Sequence, residues 1–367
     1  MSGMETSVVV AIGTRKGLWL ARSDDRESWK VDGPLLLATE VPSVAIDTRE
    51  GTTRLLVGAR SEHWGPTVQQ SEDFGQTWTE HEGGAIVFPE GGDASLERVW
   101  QIHPDTAARP GVVWAGCEPT SLWRSADGGR SFSLVTGLWD HPHRPQWWPG
   151  FGGAAVHTVV PHPTDDSNVV VAMSTGGVYS TTDGGDTWHP HNVGIKVSHM
   201  PDPYPEFGQC VHKVAPAGTD GLRMYAQNHH GVYRSDDGGG SWTSIAEGLP
   251  ADFGFVALGH PRDADSAWVV PLVADGERVP PQGQLRVQRT RDGGRSWTPS
   301  EAGLPDDCWV TPLRDAACVD ELDPVGVYVG TRAGSVYASA DEGRTFTTVA
   351  ENLPDVLCVR AAVVVEA

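Results

Sequence analysis

The sequence predicts an all-β fold, a single seven-bladed β-propeller of four-stranded blades spanning residues 1–367, and three observations predict it. A short turn motif recurs seven times at nearly even spacing. Each copy sits in the same order among apolar strand-like runs and a Gly-Leu-Pro-like turn. The two chain ends each lack the strand that the other supplies. Composition agrees: 44 glycines, 27 prolines and 15 tryptophans suit many short strands joined by tight turns.

The repeated unit reads Ser/Thr-x-Asp-x-Gly-x-Ser/Thr-aromatic. It occurs at 71–78, 125–132, 181–188, 235–242, 290–297 and 339–346, with a shortened copy at 23–29. The closing aromatics fall at 29, 78, 132, 188, 242, 297 and 346, one four-stranded blade apart. In each unit the Ser/Thr and Asp oxygens can accept hydrogen bonds from turn amides, and Gly takes a positive φ. This makes the motif a staple between the two outer strands, with its Asp structural rather than catalytic.

The other elements follow in step. An alternating apolar strand comes first in the unit, as at Val113-Trp-Ala-Gly, Val169-Val-Val-Ala and Tyr328-Val-Gly. An aromatic strand precedes each turn motif, as at Leu122-Trp123, Val178-Tyr179, Val232-Tyr233 and Val336-Tyr337. Turns such as Gly248-Leu-Pro250 and Gly303-Leu-Pro305 then lead into the next blade's inner strand. The run 8–21 has no inner strand before it, and 356–365 has no turn motif after it. Ring closure by the C-terminal strand resolves both and removes two sheet edges.

With these motifs the chain resembles the Asp-box, or BNR-repeat, propellers: sialidases, xyloglucanases, sortilin-type receptors and a photosystem II assembly factor group. It is most similar to bacterial soluble BNR-repeat, glycosyl-hydrolase-like proteins, through the segments 208–213 and 227–239. The resemblance implies the fold and leaves activity open. Sialidases resemble six-bladed propellers with an Arg-Ile-Pro motif, which is absent here, so sialidase activity is not expected. Xyloglucanases resemble two tandem propellers, and this chain holds repeats for one.

Charge and composition exclude several classes. Forty-eight acidic against 27 basic residues, a net charge of −21, argue against a nucleic-acid partner. No apolar run reaches the ~20 residues that span a bilayer, so no membrane partner is expected. Met1-Ser-Gly-Met-Glu-Thr6 carries no basic leader, and five cysteines without a framework spacing read as reduced thiols, so the expected location is cytoplasmic. Glycine pairs such as Gly128-Gly129 precede strands rather than helices, so no nucleotide cofactor is expected.

Chemistry collects where the loops after second strands and the starts of inner strands share one face. Those positions carry Arg15, His63, Trp64, Glu118, Asn228, His229, His230, Arg332, Trp100, His157, His212 and Arg360, with Cys210 beside His212. Rigidly held imidazoles suit a divalent transition metal (Zn, Fe, Mn or Cu), and His63, His157, His212 and His229 are the candidate ligands. The same histidines can instead be hydrogen-bonded groups lining a wet channel. Glu118 and His230 are the candidate acid and base. Arg15, Trp64, Trp147, Trp148, Asn228, Arg332 and Arg360 are the candidate substrate contacts.

Two long loops, 139–153 and 195–209, lead to His157 and His212 and predict a lid or pocket wall. Trp147, Trp148 and Phe151 can stack on a sugar or aromatic ligand, or pin their own loop. The insertion 274–281 narrows the same mouth. Three functions remain: a metal-dependent hydrolase or lyase on a small organic or sugar-like molecule, a glycosidase-like or carbohydrate-binding propeller, and a protein-interaction scaffold.

Overall fold

Runs of β-branched and aromatic residues, closed by glycine-bearing turns, form seven four-stranded antiparallel sheets in the computed structural model, which describes residues 5–150, 152–198 and 200–366. Phe151, named in the first long loop, and His199 of the second lie outside the described residues. Each sheet is one blade, and in six of the seven the strands run outward from the channel in chain order. Blade I has the order Val356–Glu366, Glu5–Thr14, Gly17–Ser23, Lys30–Leu35, so the C-terminal strand is the innermost strand of the N-terminal blade. Its antiparallel register runs from Glu5↔Glu366 to Thr14↔Val356. The expected ring closure is therefore present.

The inner strands of blades II to VII are Glu40–Asp47, Arg98–Pro104, Val156–Pro161, Val211–Ala217, Phe253–Gly259 and Ala317–Val319. Outer strands are short, two residues in blades II to VI. The only α-helix among the described residues is the single turn Thr136–Trp139. No helix is long and apolar enough to cross a membrane.

The core lies between blades rather than within one layer. Along Glu5–Thr14, Val8, Val10 and Ile12 pack against blade VII, while Val9 and Ala11 pack against blade II. A strand buried on both faces reads as a continuous apolar run, which is why 8–12 shows no polar alternation. Equivalent clusters fill the other five interfaces.

The repeated turn does more than the expected staple. In the 235–242 copy, Ser235 Oγ donates to Asp237 Oδ1 (2.7 Å) and accepts from Gly239 N (2.8 Å), while Asp237 accepts from Ser241 N and Oγ. The same pattern recurs around Asp73, Asp127, Asp183, Asp292 and Asp341. The closing aromatic then reaches back to the preceding blade: Trp242 N donates to Val193 O, Phe132 N to Ala85 O and Phe346 N to Ala302 O. The turn therefore joins neighbouring blades as well as neighbouring strands.

Candidate functional site

Inner strands start irregularly, and that irregularity builds the mouth. Pairing slips between Glu40 and Ser43, Val99 and Gln101, Val156 and Thr158, Val211 and Lys213, and Gly254 and Ala257. A bulge leaves an extra residue unpaired and re-aims its side chain. The residues released, Pro42, Trp100, His157, His212 and Phe255, all border one cavity of about 690 Å³. Blade I adds Leu357 and blade VII Arg314. The turns after second strands contribute Arg15, Thr175, His229, Asp275, Arg278 and Arg332 to the same wall. The expected sharing of one face by both loop sets is observed.

Three donors stand together in blade V. The ligand atoms of Cys210, His212 and His229 all lie within 4.8 Å of one another. His212 Nδ1 is 2.6 Å from the Gly254 carbonyl, which only accepts, so Nδ1 carries the proton and Nε2 keeps its lone pair. That lone pair faces Cys210 Sγ at 3.6 Å. Phe255 stacks on the His212 ring, with centroids 4.7 Å apart, and fixes its plane. Behind His229, Asp275 Oδ2 lies 3.6 Å from Nε2. A carbonyl or carboxylate behind each imidazole is the usual support of a metal-ligating histidine. Donors at ~2.1–2.3 Å from a tetrahedral metal sit ~3.4–3.8 Å apart, so the 3.6 Å Cys210–His212 separation fits one edge of such a site.

Electrostatics keep these groups neutral. Burial, reinforced by the Arg314 charge, pushes His212 and His157 well below the usual imidazole range. Burial pushes the Cys210 thiol up. Beneath the mouth, Asp315 accepts from Lys213 Nζ at 2.6 Å and pairs with Arg360 Nη2 at 3.1 Å. Burial alone would raise the Asp315 carboxyl, but Arg360 and Lys213 outweigh it and hold it low. One carboxylate thus serves two cations, and the channel interior is positive in a strongly negative protein.

No family model matches the chain, and no curated protein matches it. Solved structures do. A protein from Lactobacillus plantarum is 16% identical and has a TM-score of 0.56, with 98% of this chain and 99% of that one covered. A YCF48 structure with bound D1 peptide is 15% identical and has a TM-score of 0.51, over 84% and 81%. An ancestral GH74 enzyme is 22% identical with a TM-score of 0.42; this chain spans 25% of its length, and 56% of this chain is covered. The likeness to the Lactobacillus plantarum protein and to YCF48 shows the fold.

The structure sorts the residues singled out from the sequence. His157, His212, His229, Arg15 and Arg332 border the cavity. Arg15 and Arg332 are already engaged, both with Asp355 and Arg15 also with Glu40. His63 stands exposed outside the Cys-His-His group, and Trp64 beside it is 91% exposed. His157 is buried and is also outside that group, with Nδ1 3.1 Å from Thr158 Oγ1.

The remaining candidates are not among the residues that border the cavity. Glu118 accepts from Trp100 Nε1 at 2.9 Å; burial raises its carboxyl while Trp100 and Arg98 oppose the rise. His230 packs edge-on against His229 and does not border the cavity. Trp147 is buried, donates to the Tyr179 hydroxyl and stacks on His141, the contacts expected of a residue that pins its own loop. Trp148 is exposed outside the cavity wall. Asn228 is buried, bracing the Lys196 and His230 carbonyls, and Arg360 lies in the channel below.

Sequence reasoning placed Cys210 at the mouth without making it a ligand, included Asp275 and Arg278 only as part of the insertion, and passed over Arg314. Cys210 and Arg314 occupy the same repeat-register stretch as the residues before the other inner strands, which is the one signal that could have found Arg314. Of the expected wall, Gly150 and Gly152 of the first long loop and Asp275 and Arg278 of the insertion border the cavity, while Phe207 of the second loop stacks on His143 of the first.

Proposed function

We propose that the protein is a metal-dependent enzyme, a hydrolase or lyase, acting on a small organic molecule at the mouth of the channel. The grouping of Cys210, His212 and His229 within 4.8 Å carries this reading. Three protein ligands with a fourth position turned to a cavity is the pattern of catalytic rather than structural zinc sites. A divalent metal held there supplies Lewis acidity and acidifies a bound water. The chain's own residues do the rest: the Gly254 carbonyl fixes the His212 tautomer, Asp275 orients His229, and Phe255 dries one side of the group. His230, beside His229, remains the proposed proton-transfer group at the rim. Glu118, held by Trp100 Nε1 through one carboxylate oxygen, remains the other proposed acid or base.

A glycosidase reading is weaker because it needs two available carboxylates. The carboxylates bordering the cavity are Glu40, Asp275 and Asp315, and each is in an ion pair with arginine. The repeated turns support kinship with the Asp-box propellers, and five free thiols support a cytoplasmic location.

Elemental analysis of freshly purified protein tests the proposal. Near-stoichiometric transition metal is expected in the wild type, and less than about a tenth of it in Cys210→Ala/His212→Ala, in keeping with the loss of two of three ligands. His63→Ala should retain it. Absence of metal from the wild type after incubation with Zn²⁺, Mn²⁺ and Fe²⁺ overturns the proposal.

A further inference from the structure

Arg314 is the one cavity-lining cation whose side chain makes neither a hydrogen bond nor an ion pair among the described residues. Its Nη1 is wholly buried and without a partner. Arg15, Arg98, Arg278 and Arg332, all on the same wall, each hold a carboxylate. The guanidinium of Arg314 instead lies over the Trp100 ring, 5.1 Å from its centroid, with Nη2 near Gly152. Beside it on the same wall is His157, 1% exposed, whose Nε2 is also buried without a hydrogen bond. A buried polar atom left without a partner is destabilising, so two on one wall mark a place where a ligand's polar atoms would be held.

The surroundings favour a negative guest. Asp315, next in the chain, is already shared by Lys213 and Arg360 and gives Arg314 no hydrogen bond. The cavity floor therefore holds three cations against one carboxylate. A buried guanidinium left in that field is stabilised when an anion enters, and its flat face is already oriented by the indole.

We infer that Arg314 and His157 form an oxyanion-binding subsite that anchors the carboxylate of a small organic ligand on the wall of the cavity that Cys210, His212 and His229 also border. One free guanidinium matches one carboxylate, since planar N–H pairs meet both oxygens. This names the ligand class for the site proposed above and rests on that reading for its catalytic meaning. The subsite itself needs no metal.

Calorimetric titration of metal-free protein with acetate, succinate and benzoate, beside inorganic phosphate and chloride, tests it. Saturable one-to-one binding of a carboxylate is expected. It should weaken at least about tenfold in Arg314→Met, less in Arg314→Lys, and stay unchanged in Cys210→Ser. Thermal unfolding gives a second reading: without added anion Arg314→Met should unfold at or above the wild-type temperature, and carboxylate should raise only the wild type's. Equal binding by wild type and Arg314→Met, no carboxylate binding by the wild type, or tighter binding of phosphate overturns the inference. Binding that survives in Cys210→Ser while metal is never found would retain the subsite and discard the metal, so the two failures are separable.

Discussion

At the scale of single residues, the channel floor shows how charge count decides tolerance. Asp315 is the sole carboxylate between Lys213 and Arg360. Removing it leaves two buried cations facing each other, and breaking a buried pair from one side costs about 3–5 kcal/mol. Removing Lys213 instead leaves Arg360 and Asp315 as a matched pair. Asp315→Asn should therefore lower the urea-unfolding free energy by about 3–5 kcal/mol, whereas Lys213→Met should cost under about 1 kcal/mol or stabilise. Equal losses in the two variants would show that the shared carboxylate is not what holds the floor together. The same floor marks the limit of sequence reading. His157, His212 and His229 were legible because repeat register alone puts them at the mouth. Arg360 was placed by the same register, but its role was not legible, since its partner Asp315 lies 45 positions away on the neighbouring blade. Trp147 was ambiguous for a related reason: an indole in a long loop reads alike whether it meets a ligand or Tyr179.

At the scale of elements, the recurring turn explains why so much of the fold was legible. Its hydrogen bonds are local, spanning two to four residues, so the pattern survives in the sequence as fixed spacing. What spacing could not reveal is the reach of the motif's aromatic into the previous blade, which constrains glycines elsewhere. Gly303 has a φ of +86°, and a Cβ there would overlap the Phe346 carbonyl, to whose own amide Ala302 O accepts. Gly248 has the same φ of +86°, with nothing within 4 Å of a Cβ. The two turns share the sequence Gly-Leu-Pro, so they separate backbone conformation from steric overlap. Gly248→Ala should cost about 1 kcal/mol for the left-handed conformation alone. Gly303→Ala should cost at least about 2 kcal/mol more, because the blade VI–VII junction must move apart. Urea midpoints for both variants check this; similar midpoints would mean that the junction yields freely.

At the scale of the whole molecule, two opposed electrostatic effects govern acid stability, and they predict opposite slopes below neutrality. The net charge of −21 shrinks as carboxylates protonate, which relieves self-repulsion and by itself would stabilise the protein as pH falls from 7. Buried imidazoles act the other way. His103, in the channel near Arg360 and Lys213, is lowered by burial and those charges to about 4. Its folded value lies below the usual 6.5, so the unfolded chain binds the proton first, and the stability present above 6.5 is lost as pH falls toward 4. His157 and His212, pushed well below the usual imidazole range by burial, act in the same direction. Below pH 4 the repeated turns take over. Asp73 and Asp292, hydrogen-bonded by their turns, and Asp127, where the turn outweighs burial, titrate at about 2 instead of 3.8. Their contribution is complete above 3.8 and lost as pH falls toward 2. Because the imidazoles are buried and the carboxylates are spread over a screened surface, the imidazoles should dominate between 6.5 and 4 at physiological salt. Unfolding free energy measured by urea titration should thus fall continuously from pH 6.5 to 2. His103→Gln should flatten the upper part of that fall and leave the part below pH 4 unchanged. A rise in wild-type stability between pH 6.5 and 5 would mean that surface repulsion outweighs the channel, and would remove the physical basis for reading the mouth as a dry, neutral-imidazole site.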